Sequence, residues 1–110
     1  MNISWSEIKP YENELPTNYA DRIGRLYTDT VTAAFKKSNG QFFTPVSIAY
    51  FMGKQISVNK DSVSVLDPGC GTAILSCAMI ENLVLQSKVK QIELVTYETD
   101  ENLIPGLQKV

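Results

Sequence analysis

Six consecutive residues, Asp67-Pro68-Gly69-Cys70-Gly71-Thr72, place a carboxylate, two glycines and a hydroxyl between two apolar stretches. Ser62 to Leu66 before them reads as a strand, and the apolar run after them reads as a helix from about Thr72 to Gln86. Glycine allows a positive φ and removes the side chain that would keep a ligand off the backbone. A helix beginning near Thr72 turns unbonded N–H groups and the positive end of its dipole toward the loop. Asp67 adds the opposite charge at the strand tip. That pair of poles suits an amino-acid zwitterion, carboxylate near the amides and ammonium near acceptors. A pyrophosphate suits the amides but not the aspartate. Gly-x-Gly alone occurs by chance in many chains; the whole hexapeptide between strand and helix is a stronger signal. Position 74 is Ile, so the Gly-x-Gly-x-x-Gly of a dinucleotide dehydrogenase is absent.

Glu98 is the second candidate, at the end of a second strand-like run, Gln91 to Tyr97. A carboxylate there accepts hydrogen bonds from both ribose hydroxyls of a nucleoside cofactor, or is simply a solvated strand end. Asp100 and Glu101 are acidic alternatives just past the strand. A third segment, Gly40-Gln41-Phe42-Phe43-Thr44-Pro45, offers two phenylalanines and a helix start, and physics alone does not assign it to a site. The cysteines, Cys70 and Cys77, have no histidine anywhere in the chain and no CxxC spacing to support a zinc site. They read as two small residues packed beside a helix.

The elements that must hold these residues follow from periodicity. Residues 1 to about 18 carry loop signals, Pro10, Pro16 and the polar run Glu12 to Glu14, although Trp5, Ile8 and Tyr11 recur at a spacing that lets a short helix dock. Ile23, Leu26, Tyr27, Val31, Ala34 and Phe35 make one face of a helix over Tyr19 to Lys37, closed by Asn39-Gly40. Thr44 as N-cap and Pro45 at the first helical position start a helix to Ile56 that presents Ile48, Phe51, Met52 and Ile56 to a core. Asp100 is placed to cap a last helix, with Pro105-Gly106 near its start or breaking it. Strand, glycine loop, helix, strand is the first βαβ unit of a doubly wound α/β sheet.

The chain has 110 residues, 44% of them hydrophobic and 20% charged, with a mean hydropathy of −0.09. That permits one small domain. No stretch approaches the about 18 apolar residues of a membrane span, and the amino terminus lacks a signal-peptide pattern, so the expected location is cytoplasmic. The net charge is −2, and basic residues gather only at Lys36-Lys37 and Lys88/Lys90. A surface that grips nucleic-acid phosphates needs a larger basic cluster than that.

The ordered set of Gly40 to Pro45, Asp67 to Thr72 and Tyr97-Glu98-Thr99-Asp100 resembles the N6-adenine DNA methyltransferases of type I and type II restriction-modification systems. In that family a G-Q-F-(F/Y)-T-P segment precedes a D-P-x-C-G-T/S-G segment and then an acidic strand end. The resemblance covers about residues 40 to 101. It implies a partial Rossmann-like fold for an S-adenosylmethionine-dependent methyltransferase, with a 1–39 arm and helix before a truncated 40–110 cofactor domain. It implies that Phe43, Thr44 and Pro45 line the methionine end of S-adenosylmethionine. Asp67, Gly69, Cys70 and Gly71 then surround its amino and carboxylate groups, and Glu98 holds the ribose.

Two positions depart from the pattern. Ala73 replaces the usual last glycine, with an expected effect only on helix packing, and Thr99 stands where an apolar residue often meets adenine. The family's Asn/Asp-Pro-Pro-Tyr/Phe segment, which grips the flipped-out adenine, has no counterpart, because the chain contains no Pro-Pro. No catalytic residue is therefore assigned. Double-stranded DNA is the expected partner through parts outside these residues, and apolar surface left open by a truncated sheet makes self-association a further expectation. The alternatives are an RNA or protein methyltransferase sharing the glycine loop, and a non-catalytic interaction module of the same fold.

Overall fold

The computed structural model describes residues 3–31, 43–86 and 88–110. A short 3-10 turn at Trp5–Glu7 precedes α1 (Pro16–Thr30), α2 (Val46–Gly53), β1 (Ser62–Pro68), α3 (Ile74–Leu85), β2 (Gln91–Tyr97) and α4 (Ile104–Leu107). β1 and β2 are parallel neighbours, with Val63 opposite Ile92, Val65 opposite Leu94 and Pro68 opposite Tyr97. α3 is thus the crossover of a βαβ unit, the connection that parallel strands require. The α/β class and both strands agree with the reading of the sequence. β1 runs two residues further than Leu66, through Asp67 and Pro68.

The core lies among the helices. Ala20 of α1, Ala49 of α2, and Ala73, Ile74, Cys77 and Ala78 at α3 form one buried cluster, flanked by Val46, Tyr50, Leu75, Leu107 and Val110. These are mostly small side chains, so the helix backbones approach closely. A Cβ on Gly53 would stand 2.9 Å from the carbonyl carbon and oxygen of Ala78. Neither strand has a fully buried residue: β1 alternates half-buried Val63, Val65 and Asp67 with exposed neighbours.

One carboxylate ties the three helices together. Glu81 of α3 accepts the Thr17 amide at 3.0 Å, the Thr17 hydroxyl, and the Tyr50 hydroxyl at 3.1 Å. Because Leu15 gives α1 no side-chain cap, Glu81 satisfies a first-turn donor that an N-cap would otherwise take. At the other end of α2, Asn82 donates to the carbonyls of Gly53 and Ile56, each at 3.1 Å, and Gln86 donates to Ile56 at 2.8 Å.

Several boundaries and faces differ from expectation. α1 starts at Pro16, not Tyr19, because proline at a first helical position is a start signal and not a loop signal. Its Ile23 and Tyr27 are buried, while Leu26 is exposed. α1 ends at Thr30, where its C-cap Val31 turns extended (φ −110°, ψ 152°), so the single helix expected to run on to Lys37 is broken there; Ala34, Phe35, Lys37 and Asn39-Gly40 lie outside the described residues. Thr44 does not cap α2: Pro45 occupies the N-cap, and its carbonyl accepts the Ala49 amide at 2.9 Å. The expected face is also reversed. Ile48, Phe51, Met52 and Ile56 are exposed, and Ala49 and Gly53 face α3, since only small residues allow that approach. α3 begins at Ile74, after a turn over residues 71–73. Asp100 accepts the Asn102 amide at 3.0 Å and so caps a turn, α4 starting only at Ile104.

The amino-terminal arm is docked. Tyr19 donates its hydroxyl to the Ile8 carbonyl at 2.7 Å. Arg22 bonds the Lys9 carbonyl and the Glu14 carboxylate and lies 4.0 Å above the Tyr11 ring. The Glu14 carboxyl is held below its ordinary value, foremost by that hydrogen bond from Arg22.

Candidate functional site

Where β1 ends, three successive odd-numbered residues take left-handed backbone: Gly69 (φ 68°), Gly71 (φ 58°) and Ala73 (φ 67°). Gly71 is doubly constrained, because a Cβ there would also come 3.0 Å from the Phe43 ring. Ala73 therefore does more than pack: it is the N-cap of α3 in a conformation that costs an L-residue roughly 1–2 kcal/mol, and its methyl is buried in the core cluster.

The loop is stitched to the end of β2. Cys70 donates its amide to the Tyr97 carbonyl at 2.9 Å, and Ala73 donates to Cys70 at 2.8 Å. Gly71 donates its amide to Oε1 of Glu98 at 2.8 Å, while Oε2 accepts the Asp100 amide at 2.8 Å. The glycine-loop amides are therefore not all directed at a ligand, as the sequence suggested. Those of Cys70, Gly71 and Ala73 have partners within the protein. Thr72, fully buried, donates its hydroxyl to the Ala20 carbonyl at 2.8 Å and anchors the loop on α1.

The structure brings together Phe43, Cys70, Gly71 and Glu98. The Phe43 ring lies against Gly71 and against Gly24 of α1. Asp67 turns elsewhere: it accepts the Ser76 hydroxyl and lines a hollow of about 200 Å³ with Met52, Ile56, Leu75 and Met79. Glu98 lines a larger cavity of about 680 Å³ with Ala73, Cys77, Ile80, Leu94 and Tyr97. Thr44, half-buried, and Pro45, exposed, line neither hollow. Gly69 is open, with nothing within 4 Å of where a Cβ would be. Thr99 is exposed.

A glycine loop whose amide is held by the acidic end of the next parallel strand, with an aromatic side chain from upstream packed on it, joins all three sequence segments in one place. The family model of N-6 DNA methylase matches residues 19–105, a span that includes all of them. This chain belongs to the N-6 DNA methylase family. It is 36% identical over 87 residues to the type II methyltransferase M.AccI of Acinetobacter calcoaceticus, which covers 79% of this chain and 15% of that protein. It is 37% identical over 75 residues to the type II methyltransferase M.BsuBI of Bacillus subtilis, covering 67% of this chain and 15% of that protein. The chain thus spans a small part of the length of the curated relatives it matches. No solved structure matches it.

Both cysteines of this N-6 DNA methylase segment are free and buried. Burial, foremost, raises the Cys70 thiol, partly opposed by a hydrogen bond with Thr96 and reinforced by the charges of Asp67 and Glu98. Burial pushes the Cys77 thiol up to about 11, with Glu81 and Asp67 adding to the shift. Among the described residues no group of three or more His, Cys, Asp or Glu is arranged to hold a metal ion, and no helix is long and apolar enough to cross a membrane.

Two residues near Glu98 take places that the sequence did not indicate. Tyr27 read only as a core-facing position, and Asp100 as a helix cap or an acidic alternative to Glu98 just past the strand. The structure buries both and joins them by a hydrogen bond from the Tyr27 hydroxyl to Oδ2 of Asp100. The available signal was chemical: a tyrosine on a buried helix face needs a partner for its hydroxyl.

Proposed function

We propose that this chain is the S-adenosylmethionine-binding segment of a DNA adenine-N6 methyltransferase from a restriction-modification system, with β1–α3–β2 as the first unit of a Rossmann-like sheet. The observation that carries the reading is the placement of Glu98. Its carboxylate stands past the carboxyl ends of both parallel strands, held by one amide from the glycine loop and one from its own loop. Open α/β sheets bind ligands outside that end of their strands.

The residues fit the cofactor. An ionised carboxylate has about four lone-pair sites. Two backbone amides fix its orientation and leave capacity for a pair of adjacent ribose hydroxyls. The cavity that Glu98 lines is otherwise largely apolar, the setting in which a few polar groups orient a nucleoside. In this reading Gly69, Cys70 and Gly71 surround the amino-acid end, while Asp67 acts from the base of the loop, where it accepts the Ser76 hydroxyl. Phe43, Thr44 and Pro45 flank the methionine end. When bound, S-adenosylmethionine supplies an activated methyl group on its sulfonium; the residues of this chain bind and orient it.

With no Asn/Asp-Pro-Pro-Tyr/Phe segment among its 110 residues, the chain is assigned binding and not transfer. Contacts to double-stranded DNA are assigned to parts outside it, the location to the cytoplasm, and association of the isolated chain with itself to its open apolar faces.

Calorimetric titration of the chain with S-adenosylmethionine, beside Glu98→Ala and Thr44→Ala, tests the reading. Saturable binding is expected, weakened about tenfold or more by Glu98→Ala, the scale of losing hydrogen bonds to a charged acceptor. Thr44→Ala is expected to weaken it less, since Thr44 lines neither hollow. Binding that survives Glu98→Ala at full strength would remove the basis of the assignment.

A further inference from the structure

We propose that Tyr27 is a positioning residue for the Glu98 carboxylate, acting through Asp100. The proposal rests on the reading that Glu98 holds the ribose. Tyr27, on α1, is 1% exposed, and Asp100, in the loop after β2, is 7% exposed. The Tyr27 hydroxyl donates to Oδ2 of Asp100, and Oδ1 accepts the Asn102 amide at 3.0 Å. The Asp100 amide donates to Oε2 of Glu98, whose Oε1 accepts the Gly71 amide. One line of hydrogen bonds therefore runs from α1 through the loop after β2 to the glycine loop.

The ring of Tyr27 reaches the same endpoint by packing. Trp5 stacks on one side with centroids 6.4 Å apart, and Phe43 meets it edge-on, also at 6.4 Å. Phe43 in turn lies against Gly71. Both the hydroxyl route and the ring route thus converge on the loop that Glu98 grips. A carboxylate that must meet two hydroxyls on adjacent carbons needs its plane fixed before the ligand arrives, and fixing it beforehand removes an ordering cost from binding. Tyr27→Phe deletes the hydroxyl route and keeps the ring route.

The test has a ligand-free arm and a ligand arm. Hydrogen exchange on the free chain follows the amides of Gly71 and Asp100, with Leu83 of α3, fully buried, as the reference. In Tyr27→Phe the Gly71 and Asp100 amides are expected to exchange about tenfold faster while Leu83 keeps its protection, because the change is local opening and not global unfolding. Asp100→Asn, which keeps the side chain's size and an acceptor for Tyr27, is expected to be intermediate. Unchanged protection of Gly71 and Asp100 in Tyr27→Phe, or equal acceleration of all three amides in both variants, would overturn the proposal.

In the ligand arm, S-adenosylhomocysteine is compared with its 2′,3′-dideoxy counterpart. Tyr27→Phe is expected to weaken the first about tenfold and leave the second unchanged, as expected if the mutation acts through the carboxylate's hydrogen bonds. A merely structural role would weaken both alike. Equal binding of the two ligands by the unmutated chain, or no binding of either, sinks the ribose assignment of Glu98. The exchange result then still decides whether Tyr27 positions the carboxylate.

Discussion

Cys77 shows how strongly a residue's chemistry depends on its surroundings. Its thiol sits on α3 among Ala20, Ala49 and Ala78, and burial with two nearby carboxylates moves its pKa to about 11. Only the thiolate is nucleophilic. At pH 8 about one Cys77 in a thousand is ionised, against about one in four for an ordinary cysteine. Alkylation of Cys77 by iodoacetamide at that pH is expected to be about two hundredfold slower in the folded chain than in urea, and to rise with pH through the alkaline range. Equal rates in the two states would mean that α3 opens freely. Cys70 shifts in the same direction, so neither cysteine of the site is primed as a nucleophile. Its part in the loop is backbone geometry, the amide bond to Tyr97.

Between helices, α2 packs directly on the α3 backbone. Gly53 permits it, because any side chain there meets the Ala78 backbone rather than a movable side chain. Gly53→Ala is expected to destabilise the chain by about 1–3 kcal/mol, the usual cost of forcing atoms into a packed contact. A lower urea midpoint with an unchanged slope is the measurement; a midpoint within error of the parent would show that the two helices separate at no cost. The consequence reaches the site, since Asn82 and Gln86 fix the end of α2 on α3, and the same α3 begins at the glycine loop.

For the molecule as a whole, the balance of covered and open surface is uneven. The helices share a buried cluster, whereas Leu66, Leu94, Val95 and Tyr97 on the strands and Ile48, Phe51 and Met52 on α2 remain exposed. Parallel sheets are ordinarily covered on both faces, and exposed apolar side chains in this number favour association. The sedimentation coefficient of the isolated chain is expected to rise with protein concentration, and an apolar dye to bind the folded state. A constant monomer value at high concentration would show that these side chains do not form a sticky patch.

The sequence by itself determined the order of elements near the site. Period-two runs bounded by Asp67 and Glu98 marked both strands, β2 to its observed ends, and the glycine hexapeptide marked the turn between β1 and α3. The ordered motifs also indicated the family, because they depend on residue types and spacing that survive without coordinates. Tertiary structure decided what those residues touch. Whether α2 presents its large or its small apolar face depends on how near α3 can come, and Gly53 against Ala78 settled it for the small one. Whether Glu98 is a solvated strand end or a carboxylate held in place depends on Gly71 and Asp100. Tyr27 lies 73 residues before the Asp100 it bonds. Local pattern carries hydrophobic period and turn chemistry; partners that distant in sequence meet only once the helices have packed.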